Sequence, residues 1–215
     1  MKNIFTLLFL FGFIFVSAQK MVVDQNGLKQ GQWQGRYDSG ELKYRGVFKD
    51  DVEVGLWKFY YLSGELKATK EFFHNGKAAA THIFYKNGNI RASGIYVNKL
   101  KDSTWNYFNE DSILILSEVY RKGEFNGKRR TYYETGELYI LKEWKFGEES
   151  GQFIQYFING QKNIKSTYKD GVLDGIYTAY NTDGTLFYSG FYQNGLRVGE
   201  WSYYTNGVLD TIINE

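Results

Sequence analysis

An all-β chain, laid out as one layer of antiparallel hairpins, is predicted by three features of the 215-residue sequence: a small residue recurring every 24 positions, alternating apolar and polar side chains between the steps, and no proline. Proline interrupts sheet ladders, so its absence suits strands throughout. The pool of 19 Tyr, 17 Phe and 5 Trp has the same bias, since aromatic side chains favour pleated surfaces.

The first eighteen residues stand apart. Lys2 precedes the apolar run Ile4 to Val16, and Val16-Ser17-Ala18 is a small-residue cleavage pattern. This predicts a signal-peptide helix over 1–18, cleaved after Ala18, and places the protein in the periplasm, the cell envelope or the extracellular space. An apolar run of that length spans roughly 20 Å as a helix, short of the ~30 Å bilayer core. Cleavage removes one positive charge from a formal net charge of +2. That near-neutral balance gives no footprint for DNA or RNA. With no cysteine, an exported chain has no disulfides and must be held by packing alone.

The repeat domain is expected over 19–215. Stepping by 24 from Gly31 reaches Gly55, Ala79, Ser103, Gly127, Gly151, Gly175 and Gly199. The units are therefore 31–54, 55–78, 79–102, 103–126, 127–150, 151–174 and 175–198, with a partial unit at 199–215. Two positions into them stand Trp33, Trp57, Thr81, Trp105, Arg129, Phe153, Tyr177 and Trp201. Five positions in come Arg36, Tyr60, Phe84, Phe108, Tyr132, Tyr156, Tyr180 and Tyr204.

Each unit reads as two strands. The first runs from the Trp to the tyrosine pair, and Leu62-Ser63-Gly64 or Thr182-Asp183-Gly184 then makes a hairpin turn in which glycine takes positive φ. In the second strand Leu66, Ala68 and Phe72 share one face, while Lys67, Thr69 and Glu71 share the other. Between the second and third apolar positions lie Gly46, Lys70, Gly94, Glu118, Lys142, Ser166 and Gly190, implying close approach in some units and a solvated charge in others. A looser turn such as Gln193-Asn194-Gly195 leads to the next unit. At about 4.8 Å per strand, some sixteen strands form a sheet about 75 Å long before twist. Val208 to Ile213 is expected to cap the sheet or to accept a partner's strand.

The pattern G-x-W-x-x-Y-Y-x-x-G-x-L, carried by residues such as 55–66, resembles the MORN repeat, and more closely its bacterial variant with a 24-residue spacing. The resemblance covers 24–209. It implies an elongated, twisted meander serving as a scaffold or interaction surface. Some family members are linked to phospholipids or membranes, and certain bacterial relatives are labelled antitoxins. No catalytic residues carry over. Thr81, Arg129, Lys162, Asn109 and Ser112 depart from the pattern, so irregular middle units are expected.

Catalytic constellations are missing from the sequence. His74 and His82 are the only histidines, their spacing matches no metal motif, and His74 lies in a turn. Asp50-Asp51 and Glu148-Glu149 are adjacent acids in turns rather than carboxyls converging across a cleft. No cofactor is implied and no enzyme is expected. Two sets of residues are candidates for binding. The aromatics Trp33, Trp57, Trp105, Trp201, Tyr60, Tyr132, Tyr180 and Tyr204 form the first, as a stacking platform or as packing. Arg121, Lys122, Lys128, Arg129 and Arg130 form the second, as a patch for an anionic lipid or acidic partner. A protein partner is the leading expectation, with glycan or lipid surfaces as alternatives.

Overall fold

The computed structural model describes residues 21–215. The predicted signal segment lies outside the described residues. Within them the chain is an antiparallel meander without a helix, in which each strand pairs with its neighbours in sequence. It opens with β1 (Val22–Val23), β2 (Lys29–Arg36), β3 (Leu42–Lys49), β4 (Val52–Tyr60) and β5 (Leu66–Phe73). It continues through β6 (Ala78–Phe84), β7 (Ile90–Val97), β8 (Leu100–Phe108) and β9 (Leu114–Arg121). The strand facing β9 is broken into β10 (Glu124–Phe125) and β11 (Gly127–Tyr132), and β12 (Leu138–Lys145), β13 (Glu148–Tyr156) and β14 (Lys162–Lys169) follow. A second broken strand, β15 (Val172–Leu173) and β16 (Gly175–Tyr180), leads to β17 (Leu186–Gln193), β18 (Leu196–Thr205) and β19 (Val208–Asn214). β19 pairs with β18, and all seven of its residues are exposed.

Two turn types alternate. Within a unit, Gly40 N–H donates to the Tyr37 carbonyl and Tyr37 N–H to the Glu41 carbonyl, both at 2.9 Å. This is a three-residue loop ending in a left-handed residue. The same pair of bonds recurs at Tyr61, Tyr85, Asn109, Tyr133, Phe157 and Asn181. Ser112 replaces the glycine in one copy and still adopts φ 64°. The middle hairpin therefore keeps its geometry despite its sequence departures, and the irregularities fall instead at the strand breaks beside Asn126 and Asp174. The turns between units are tighter than the sequence suggested. Asn194 and Gly195 have φ of 50° and 82°, and this two-residue pattern of positive φ recurs at most of the other joins. Asn206-Gly207 is also such a turn, so the last hairpin closes by the short route.

The small residue that opens each unit is needed for its backbone angle. Gly31, Gly55, Ser103, Gly127, Gly151, Gly175 and Gly199 all have positive φ, which puts an irregularity into the first strand. The register shifts between Arg45 and Val47, Ser93 and Ile95, Lys142 and Trp144, and Ser189 and Phe191. Ala79 is the exception. A β-carbon makes the left-handed region costly; Ser103 adopts it with its hydroxyl bonded to Asp102 at 3.2 Å, an offset alanine lacks, and β5 pairs with β6 in unbroken register from Ala68–Ile83 to Phe73–Ala78. The adjacent turn absorbs the difference, with positive φ at His74, Asn75 and Gly76 in succession.

A hydroxyl clip joins successive units. Tyr37, Tyr61, Tyr85 and Tyr133 donate to the carbonyls of Tyr60, Phe84, Phe108 and Tyr156 at 2.7–2.8 Å. Each clip links residues 23 apart, from one hairpin turn to the next first strand.

Candidate functional site: the two faces of the sheet

One face of the sheet is packed with its own side chains. The bulge at Gly55 sets the Trp57 indole across Gly46, and Trp105 and Trp201 lie in the same way across Gly94 and Gly190. A β-carbon on any of these three glycines would overlap the ring. Trp57, Trp105 and Trp201 are 3%, 1% and 0% exposed. Trp57 and Trp105 also donate from Nε1 to the carbonyls of Val47 and Ile95 at 3.1 and 3.0 Å. Neighbouring rings close around them: Phe48 stands edge-on to Trp57 at 4.8 Å, and Tyr96 to Trp105 at 4.8 Å. Such pairs contribute about 0.5–1.5 kcal/mol each beyond area burial.

Where the tryptophan is absent, the glycine is absent too. Glu118 faces Arg129, whose Nε donates to Oε1 at 3.0 Å, while the Tyr120 hydroxyl donates to Oε2 at 2.8 Å. Glu118 is 5% exposed. The solvated charge expected here is in fact a buried, paired one. Lys101 lies beside this network, 4.9 Å from the Trp105 ring and 4.9 Å from the Tyr120 ring, and donates to the Tyr107 hydroxyl at 2.5 Å. Burial, reinforced by the nearby Glu118 charge, pushes the Tyr107 phenol upward. Burial and the bond to Glu118 push Tyr120 up to about 12.

The opposite face has a different character. A row of directly paired residues crosses the sheet there: Gln34, Arg45, Lys58, Thr69, His82 and Ser93 follow one another strand by strand. It continues through Asn106, Ser117 and Arg130, is interrupted by the apolar pair Leu141 and Ile154, and resumes with Lys165, Thr178, Ser189 and Ser202. No carboxylate stands in this row. Lys43, Lys67 and Arg91, one per unit, lie 5.5, 5.7 and 5.8 Å from the rings of Tyr37, Tyr61 and Tyr85. Arg45 stands 5.9 Å from Tyr60. Among the described residues, none of these five cations, Lys58 included, has a carboxylate within 4.0 Å.

Unit three apart, each hairpin thus repeats one plan, an opening residue of positive φ, a slot filled from the next strand and a hairpin turn ending in positive φ. A family model of the MORN repeat variant matches residues 53–75, 125–145 and 173–194. Three stretches of the chain thus match the MORN repeat variant. No curated protein matches it. MORN repeats are non-catalytic modules that commonly bind proteins or membrane lipids.

The candidate residues divide between the two faces of the sheet. Trp57, Trp105 and Trp201 are buried packing elements, the second of the two readings their positions allowed. Trp33 is half-buried against Phe48 at 5.7 Å. Tyr60, Tyr132, Tyr180 and Tyr204 are half-buried and alternate onto the opposite face, so the eight aromatics form no common surface. The basic set divides as well. Arg129 is held by Glu118 on the tryptophan face, whereas Lys128 and Arg130 project from the other. Lys128 also lies 3.9 Å from Glu143. Arg121 and Lys122 are exposed at the turn, where Lys122 N–H donates to Asp102 at 3.0 Å.

Sequence reasoning missed the cations of the first three units. They are scattered through the chain and form no run, but the 24-residue step brings out Lys43, Lys67 and Arg91 at one unit position. The adjacent acids are structural. Asp51 accepts from Lys29 N–H at 2.8 Å and Asp50 from Gln30 at 2.7 Å, while Glu149 accepts from Lys142 at 2.5 Å. Among the described residues no cluster of three or more His, Asp or Glu is suited to hold a metal ion.

Proposed function

We propose that this protein is an exported, non-catalytic interaction scaffold of the cell envelope, and that a protein partner docks on the face opposite the tryptophans. One observation carries the reading. The tryptophan face uses its large side chains on one another, whereas the part of the row from Gln34 to Asn106 presents amides, hydroxyls, an imidazole and cations that packing does not require. The unpaired cations Lys43, Arg45, Lys58, Lys67 and Arg91 favour a partner with an acidic surface, which electrostatic attraction would steer onto the sheet. Export follows from the segment 1–18, and the mature chain is expected to start at Gln19.

Photo-crosslinking from Thr69, Ser93 and Asn106 in intact cells tests the docking face. A defined adduct from these positions, lost when Arg45 and Lys58 are replaced by Glu, is the expected result. Adducts formed only from the tryptophan face would refute it. Amino-terminal sequencing of the protein from cell fractions tests export, and an intact Met1 in the cytoplasm would refute that part.

A further inference from the structure

The third unit combines two departures, and a cleft opens beside it. Ala79 leaves its strand without the bulge, and Thr81 stands where Trp33, Trp57, Trp105 and Trp201 stand in their units. In the unit before, Trp57 is set between two rings, edge-on to Phe48 at 4.8 Å and to Phe72 at 6.2 Å. One step of 24 residues along, the corresponding rings are Phe72 and Tyr96. Both line a cleft of about 440 Å³ whose other walls are Glu53, Lys70, Gly76, Lys77, Ala78, Ala79 and Lys99.

The cleft has the size of a small-molecule site, and its chemistry is directional. Phe72 and Tyr96 are the two rings that would flank an indole, so they can receive a ring edge-on as Phe48 and Phe72 receive Trp57. Lys70 replaces the glycine found beneath the tryptophans, and its ammonium lies 5.1 Å from the Tyr96 ring. Lys77 and Lys99 are exposed on the rim, brought together by the turns that follow β5 and β7. Among the described residues, none of the three lysines has a carboxylate within 4.0 Å, and Glu53 is the only acid in the lining.

We propose that this cleft binds a small ring-bearing anion, a carboxylate or phosphate attached to a six-membered ring, with the ring between Phe72 and Tyr96 and the anion facing Lys70, Lys77 and Lys99. The site is separate from the proposed docking face, because Lys70, Phe72 and Tyr96 belong to the tryptophan side.

Titration calorimetry of the full chain with benzoate, phenyl phosphate and glucuronate tests the idea. Benzamide serves as a ring without charge, and acetate and inorganic phosphate as charges without a ring. At least one ring anion should bind at least about tenfold more tightly than every control, a difference of about 1.4 kcal/mol. Benzoate against glucuronate separates an aromatic ring from a sugar ring. Lys77→Gln/Lys99→Gln, both on the surface, should weaken that binding about tenfold or more with the melting temperature unchanged. Thr81→Trp/Lys70→Gly, which rebuilds the pair present at Trp57 and Gly46, should abolish it. No measurable binding of any ring anion at 25 °C up to about 10 mM, a free energy of under about 3 kcal/mol, overturns the proposal. So does equal binding of acetate or benzamide, or binding indifferent to the Lys77/Lys99 change.

Discussion

Replacing Gly94 with alanine tests the packing rule of the tryptophan face. The new β-carbon would lie 2.6 Å from Cγ of Trp105 and closer still to the fused ring carbons. The indole has little room to yield. It is 1% exposed, held edge-on by Tyr96 at 4.8 Å and tethered through Nε1 to the Ile95 carbonyl at 3.0 Å. Gly94 is not among the positive-φ glycines, so alanine brings no backbone strain and would by itself favour the strand by about 0.5–1 kcal/mol. Overpacking opposes this with about 1–3 kcal/mol, and a displaced indole hydrogen bond adds about 1 kcal/mol. The expected net loss is about 2 kcal/mol. Trp105→Thr, the side chain that unit three already has, should cost about 3–5 kcal/mol by analogy with aromatic truncation. In the double variant the β-carbon meets no ring, so Gly94→Ala should become neutral or slightly stabilising, a coupling of about 2 kcal/mol. Urea denaturation followed by circular dichroism measures the totals. Hydrogen exchange of the β7 and β8 amides localises the effect, because stacked repeats can open unit by unit. A double variant that loses the full sum of the two single losses would refute the steric account.

Three further outcomes follow from named contacts. Tyr61→Phe removes the clip to the Phe84 carbonyl and should lower stability by about 1 kcal/mol; amide exchange should quicken at the joint between those hairpins, and unchanged protection there would mean the clip contributes nothing. Arg129→Ala leaves Glu118 buried without its cation and should cost about 3 kcal/mol, whereas Lys128→Ala, whose partner is 3.9 Å away at the surface, should cost under about 1 kcal/mol; denaturation midpoints showing the reverse order would refute the assignment. Tyr120 is pushed up to about 12 from an unfolded value near 10, so the folded state holds that proton more tightly. Its contribution is therefore complete below about pH 10 and declines as the pH rises through 12, which thermal melts with a spectroscopic tyrosinate titration would follow, and Tyr120→Phe should flatten this part of the curve.

The periodic part of the fold was legible in the sequence because strand pairing and turn chemistry are local. Gly64 and its equivalents mark hairpin turns by backbone angle, and Leu66, Ala68 and Phe72 declare one face by alternation. The candidate surfaces were less legible because side-chain direction depends on single residues that change register. Ala79 looked equivalent to Gly55 as a small residue, but the position selects for left-handed φ, which alanine avoids, and the bulge was lost there. Arg129 sits between Lys128 and Arg130 in sequence, yet alternation along β11 sends it to the other face and into contact with Glu118. Lys43 and Lys67 are 24 residues apart, too far for any charge-run criterion, though only two strands apart in the sheet, about 10 Å.

The pairs on the tryptophan face suggest why a chain of near-copies can vary without losing its sheet. Each slot takes one residue from a second strand and one from the following first strand, eleven positions later: Gly46 with Trp57, Gly94 with Trp105 and Gly190 with Trp201. The volume or charge missing from one partner is supplied by the other. Glu118 meets Arg129, and Lys142 places its ammonium 5.4 Å from the Phe153 ring. At Lys70 and Thr81 a flexible stem and a small hydroxyl replace glycine and a rigid indole, and the 440 Å³ cleft, lined by Lys70, Phe72 and Ala79, opens beside them. Variation at one slot is therefore free only as a pair. A change to one member alone either forces a ring out of place or leaves a charge buried, and either cost, at about 2–4 kcal/mol, is large against the total stability of an ordinary domain.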